Sequence, residues 1–206
     1  MSATQAEIAG VILLLIWFGL ETVWDQIRSV VLPLWLVLPP VILGILVQLL
    51  FGKWYLAAAM VAAIFLHLSD HITIRAVGTL LLLGAAVLAR NIPLAAGFVL
   101  YWVLWELNIA GGADALAAYA ALMVIPRAEM FWALLAGIFV WAVVSMVVIY
   151  RGQLVERWKR MIWRALLRQL PTEKELVAEG KPTVGGIWLG TIFFAVWSLL
   201  SGPLLR

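Results

Sequence analysis

Gly111-Gly112-Ala113-Asp114-Ala115-Leu116-Ala117-Ala118-Tyr119-Ala120-Ala121-Leu122 lies where one apolar stretch ends and another begins. The glycine pair allows a tight backbone turn. The chain then places an acid, Asp114, in the first turn of an otherwise apolar helix. A carboxyl at the edge of a bilayer is costly and marks a functional position by default. The small residues Ala117, Ala118, Ala120 and Ala121 predict close contact with neighbouring helices.

Outward from this stretch the whole chain is apolar. It is 66% hydrophobic and 12% charged over 206 residues, with mean hydropathy +1.08. A soluble domain of that size has no such composition. The expectation is an all-α, polytopic transmembrane helical bundle forming a single membrane domain over residues 1–206. Eight segments have helix-spanning character: 6–24, 31–50, 54–68, 74–90, 92–108, 113–126, 129–150 and 184–204. No period-2 alternation suggests a membrane barrel. Pro39-Pro40 falls inside the second segment and predicts a kink there. The first run lacks a basic leader and carries Glu7 instead, so the expectation is a retained helix rather than a cleaved signal. Cysteine is absent, which excludes disulfides and thiolate metal sites.

The only long hydrophilic stretch runs from Arg151 to Pro182, an expected cytosolic loop over 151–182. Within it Leu154, Trp158, Met161, Ile162 and Ala165 fall on one helical face. Arg157, Arg160, Arg164 and Arg168 fall on the other. That pattern predicts a basic amphipathic helix on an anionic membrane surface. With this loop inside, ten of the fourteen Lys and Arg residues fall on the inner side, including Arg28 and Arg75. Trp24, Trp54 and Trp132 fall near the expected interfaces. Asp25 ends the first segment on the inner side. Asp114 begins the sixth on that same side, because the number of crossings between them is even.

Two carboxyls a few ångströms apart hold one proton between them more readily than two charges. The ionised member acts as general base on water and the protonated member donates to a carbonyl oxygen. Asp25 and Asp114 are thus the candidate catalytic pair for peptide hydrolysis. The plain structural alternative makes Asp114 a helix cap and Asp25 the ion-pair partner of Arg28. Glu21, one turn before Asp25, shares its helix face. Glu106 and Asn108, just before the glycine pair, are expected at the same cavity. His67, Asp70 and His71 form an alternative cluster, with Asp70 a rival for the first aspartate. Neutral loop histidines are the commoner reading, and no metal is assigned.

Several of these stretches resemble the type IV prepilin peptidases, and most closely their archaeal preflagellin peptidase branch. Gly111-Gly112-Ala113-Asp114 is similar to the family's GxGD motif, with Ala113 at the third position and Leu116 where a lysine is common. Asp25-Gln26-Ile27-Arg28-Ser29-Val30-Val31-Leu32-Pro33 resembles the first-aspartate motif, which closes on a proline. Lys181 to Gly190 resembles the stretch opening the family's last helix. The resemblance implies a membrane aspartic endopeptidase that cuts the leader of class III signal peptides at the cytosolic face. It implies Asp25 and Asp114 as the catalytic pair, with Gly111, Gly112 and Pro33 as motif residues. It implies a prepilin-like or archaellin-like precursor peptide as partner, within the lipid bilayer of the cytoplasmic membrane. No cofactor and no nucleic acid enter this reading, and the missing cysteine-rich insert argues against N-methylation. The competing expectation is a non-catalytic polytopic protein, a small transporter or an assembly scaffold. It looks for polar groups near mid-membrane, of which Gln48 and Ser145 are the clearest.

Overall fold

Apolar runs bounded by Gly, Pro, Asn and His close their backbone hydrogen bonds within themselves as helices. The computed structural model describes residues 3–28, 33–67, 69, 71–106, 112–150 and 184–201. All elements among the described residues are helices. They are α1 (Ala3–Arg28), α2 (Leu34–Leu50), α3 (Trp54–His67), α4 (Ile72–Leu88), α5 (Ile92–Glu106), α6 (Gly112–Val124), α7 (Ala128–Tyr150) and α8 (Val184–Ser201). Two contain an 18-residue window long and apolar enough to cross a membrane, Glu7–Trp24 and Val184–Ser201. The remaining helices offer shorter apolar stretches. The expected amphipathic helix and loop of 151–182 lie outside the described residues.

One boundary needs correction. The first segment does not stop at residue 24 with a connection starting at Asp25; α1 continues unbroken to Arg28. Gln26, Ile27 and Arg28 carry no helix-breaking residue, so the helix propagates past the apolar run. Asp25 therefore belongs to the last turn of a helix.

The short connections force successive helices to run up and down. The turn after α2 is a Schellman closure: Lys53 N–H reaches Gln48 O at 2.8 Å and Gly52 N–H reaches Leu49 O at 3.0 Å, with Gly52 at φ +70°. The turn after α4 repeats it, with Asn91 N–H on Ala86 O at 3.0 Å and Arg90 N–H on Val87 O at 2.8 Å. Asn91 then caps the next helix by accepting from Leu94 N–H at 3.0 Å. Its side-chain amide donates to Pro126 O at 2.7 Å, joining the start of α5 to the end of α6. At that same end Arg127 pairs with Glu7 at 2.6 Å. The start of α1, the start of α5, the end of α6 and the start of α7 thus share one end of the bundle. The C-terminal half of α1, the end of α5 and the start of α6 share the other.

Helix α6 is the hub and packs on α1, α2, α5, α7 and α8. Ala115, Ala117, Ala118, Ala120 and Ala121 are all fully buried, in line with the expected close contacts. Gly44 of α2 sits so near this helix that a Cβ there would meet Met123 Cβ at 2.9 Å. Helices α7 and α8 cross equally closely: a Cβ on Gly190 would meet both Leu134 Cα and Ala133 O at 2.7 Å.

Helix α2 runs through both Pro39 and Pro40. Pro40 has no N–H to give the carbonyl four residues back, that of Leu36. The Trp17 indole supplies the missing donor, reaching Leu36 O at 2.5 Å. A proline defect in α2 thereby becomes the tether that holds α1 against it. Trp188 of α8 grips the other flank of α1, donating to Leu15 O at 3.0 Å. We predict that Trp17→Phe lowers stability by about 1–3 kcal/mol by orphaning a buried carbonyl. In a Pro40→Ala background, where an N–H again reaches Leu36, the same change should cost clearly less. A double-mutant cycle on thermal unfolding measures the difference.

Candidate functional site

Three buried polar side chains on three helices lie toward the end of the bundle where α6 begins. Glu21 of α1 has no exposed surface, Tyr101 of α5 is 1% exposed and Asp114 of α6 is 8% exposed. Neither carboxylate oxygen of Glu21 has a hydrogen-bond partner, and neither does the Tyr101 hydroxyl. Both groups lie within the electrostatic reach of the Asp114 carboxyl.

Local sequence explains each placement. Asp114 is the third residue of α6, so its carboxyl sits beside the unpaired N–H groups and positive end of that helix. The alternative reading of Asp114 as a helix-terminal acid is compatible with this position and does not exclude a second role. Glu21 is carried inward because Phe18 and Leu14, one and two turns earlier, face the core with no exposure. Beside it Thr22 satisfies its hydroxyl locally, donating to Phe18 O at 2.7 Å. Tyr101 lies one turn below Phe98 on α5, and Phe98 meets Tyr119 of α6 edge-on, ring centroids 5.0 Å apart. Tyr119 donates to Phe98 O at 3.1 Å, whereas the Tyr101 hydroxyl has no partner.

The other expected site residues fall as follows. Asp25 lies on α1 one turn past Glu21, at the same end of the bundle as Asp114; its side chain is outside the described set. Glu106 is the last residue of α5, at that same end, and its side chain is likewise outside it. Gly111 lies outside the described residues, and Gly112 opens α6, half-buried. Pro33 stands immediately before α2 in extended backbone, φ −69° and ψ 143°, and its carbonyl accepts from Leu36 N–H at 2.9 Å. The structure thus buries Glu21 at the end of the bundle that holds Asp114, and Asp25 follows it one turn later on α1.

The histidine cluster is not assembled. His71 precedes α4 with its ring exposed, while Asp70 and the His67 side chain are outside the described set. No group of three or more His, Asp or Glu side chains suited to a metal occurs among the described residues. Gln48 is not a mid-bundle polar group. It sits in the last turn of α2, and its amide donates to Met123 O, an otherwise orphaned carbonyl at the end of α6. The Ser145 side chain is outside the described set.

Tyr101 is the member that sequence reasoning missed. The available signal was a polar-tipped ring in an apolar helix, one helical turn and a residue before Glu106. Comparison with protein-family models, curated proteins and solved structures finds no match.

The cluster comprises two carboxyls and a phenol, a set suited to holding and passing protons. Because the Tyr101 hydroxyl is buried without a partner, removing it sheds a desolvation cost. Tyr101→Phe should leave the thermal unfolding midpoint unchanged or raise it, whereas a hydroxyl bonded in the resting protein would make it fall.

Proposed function

We propose that the chain is a membrane-embedded aspartic endopeptidase of the prepilin-peptidase kind. It acts at the cytosolic face on precursors with a short basic leader joined to an apolar helix. The observation that carries this reading is the burial of Asp114 at the start of α6 against the acid-bearing face of α1. That helix carries Glu21 and, one turn further toward the bundle's end, Asp25.

Membrane embedding is supported by the outer surface. Ile12, Ile16 and Leu20, spaced by four along α1, are each half or more exposed, and Leu199 and Leu200 of α8 more so. Water-facing helices of this kind would form an apolar patch far larger than soluble monomers carry. Trp54, Trp132 and Trp197 stand exposed at one end. Trp24 and Trp35 meet edge-on at the other, 5.5 Å between centroids. Such rings of tryptophan suit the two interfaces of a bilayer. In this reading all eight helices cross, short α6 being sheathed by its neighbours rather than by lipid. The multi-pass chain sits in the cytoplasmic membrane with the 151–182 loop inside.

In the reaction, a water between the acids of α1 and Asp114 loses a proton to the ionised member as it attacks the scissile carbonyl. The protonated member donates to the carbonyl oxygen. The member that took the water's proton then passes it to the departing amine, while the first recovers its proton from the diol hydroxyl as the new carboxyl forms. The precursor's basic leader is held at the acidic inner end, and its apolar helix lies in the lipid phase. A solute-path reading gains nothing from Gln48, whose amide is occupied in capping α6.

The test is processing of a pilin-like or archaellin-like precursor by the protein in lipid vesicles. Asp25→Asn and Asp114→Asn should each reduce cleavage by about 10²–10⁴-fold, the scale of lost acid–base catalysis. Parental rates in both variants would remove the peptidase reading.

A further inference from the structure

Helices α1 and α2 lie side by side but touch sparingly; α2 packs mainly on α6 and α1 mainly on α8. Between them runs a groove of about 320 Å³ lined by Leu, Ile, Pro and Trp. The one polar side-chain atom of that lining, the Trp17 indole nitrogen, is spent on Leu36 O. Leu14 and Pro40 are buried and form the floor, while Leu13, Ile42 and Leu46 stand about half-exposed along the rim. Trp17 closes the end nearer Asp25. Along α2 the lining runs from Pro39 to Leu46, about 10 Å at the rise of a helix. Spread over that length, the volume leaves a section of about 30 Å², against about 80 Å² for a helix with its side chains. The groove therefore takes a row of side chains from a helix lying over it, not the helix itself.

The same two helices lead to the proposed site. Trp17 and Leu13 precede Asp25 by eight and twelve residues, about 12 and 18 Å along α1. The start of α2, after Pro33, adjoins that same end of the bundle. There the described helices carry four acids, Glu21, Asp25, Glu106 and Asp114, against two bases, Arg28 and Arg75. A partner with positive charge at one end and an apolar helix beyond it matches both features at once: its charge meets the acids and its side chains enter the groove. We infer that the α1–α2 groove is the docking site for the apolar helix of the precursor, holding side chains about eight to twelve residues past the scissile bond. A helix with its cut bond level with Asp25 and its axis along α1 brings those residues level with Trp17 and Leu13. Residues about eight, eleven and twelve past the cut share one helical face. In lipid the attraction is close packing rather than escape from water, so shape decides which helices are held. The inference takes its partner, and the cut bond from which positions are counted, from the peptidase reading.

The first test is disulfide cross-linking, which the cysteine-free chain permits without background. The full chain in lipid vesicles carries Asp114→Asn to prevent turnover, together with Leu13→Cys or Leu46→Cys. The probe is a synthetic precursor: a lysine-rich leader, a glycine and an apolar helix of about twenty residues bearing a single cysteine. Under oxidant, precursor cysteines about eight to twelve residues past the glycine should bond to either groove cysteine several-fold faster than cysteines within the first turn. They should also outpace any bonding to Leu80→Cys on the exposed face of α4. Equal yields at Leu13, Leu46 and Leu80 mean that lipid alone fills the groove, and they overturn the proposal. A peak at another stretch of the precursor overturns it as well.

The second test fills the groove. Leu46→Trp adds bulk at a half-exposed position rather than in the core. It should raise the KM of the full precursor by about three- to tenfold relative to that of a precursor cut short before the groove is reached, the scale of lost helix packing in lipid. Leu80→Trp should leave that ratio unchanged. An unchanged ratio in Leu46→Trp, including an equal rise for both precursors, overturns the docking site and leaves the peptidase reading in place. If the precursor cross-links at the groove but the parental protein cleaves none of it, the peptidase reading fails and the docking site stands.

Discussion

The close approach of neighbouring backbones to helix α6 is the constraint on which the remaining architecture depends. Thirteen residues make a helix of about 20 Å, too short to span the hydrocarbon of a bilayer unaided. Its alanines remove the side-chain bulk that would hold neighbours away, so α2 packs with Gly44 almost on its surface. Surrounded in this way, α6 cannot leave the polar groups at its ends to water. At its C-terminal end Gln48 takes Met123 O, and Asn91 takes the carbonyl of Pro126, just beyond the helix. At its N-terminal end the sequence places Asp114 among the free N–H groups. Capping and site are therefore two outcomes of one requirement.

That requirement makes the position of α1 decisive. A carboxyl inside a helical bundle is costly. Glu21 is held within the electrostatic reach of Asp114 because α1 is gripped by its own Trp17 on the α2 carbonyl that Pro40 leaves free and by Trp188 from α8. Both grips use an indole N–H on a main-chain carbonyl, a directional bond between otherwise greasy surfaces. Apolar packing alone would allow α1 to slide by a turn, and a one-turn slide would move Asp25 to the level Glu21 occupies.

The same point explains what was legible in the sequence. Eight apolar segments and their order could be read because hydropathy and turn residues are local signals. The end of α1 could not, since the apolar run stops at Trp24 while the helix, which needs only propensity, goes on to Arg28. That Glu21 and Asp25 share a face follows from their spacing of four. Which of them stands level with Asp114 depends on the axial offset between α1 and α6. That offset is set by long-range indole bonds that no local pattern encodes. Tyr101 escaped for a similar reason: its ring reads as one more apolar residue of α5, and its significance comes from α6. Gln48 was visible as an unusual residue, but its capping of a carbonyl 75 positions away was not.

The backbone also gives the two sides of the proposed site unequal electrostatics. Asp114 occupies the first turn of α6, where the helix presents positive potential and free N–H donors. Asp25 occupies the last turn of α1, where the helix presents carbonyls and negative potential. Negative charge is thus better accommodated on α6 than on α1, with each helix end contributing about 0.3–1 kcal/mol at an exposed site. An aspartic peptidase needs such a difference, because one acid must begin the cycle ionised and its partner protonated. In the mechanism proposed here the helix termini supply the bias: Asp114 starts as the base, and the acids of α1 start as the proton store. Had α1 ended at Trp24, Asp25 would lie in a loop free of that dipole, and the asymmetry between the two acids would be smaller.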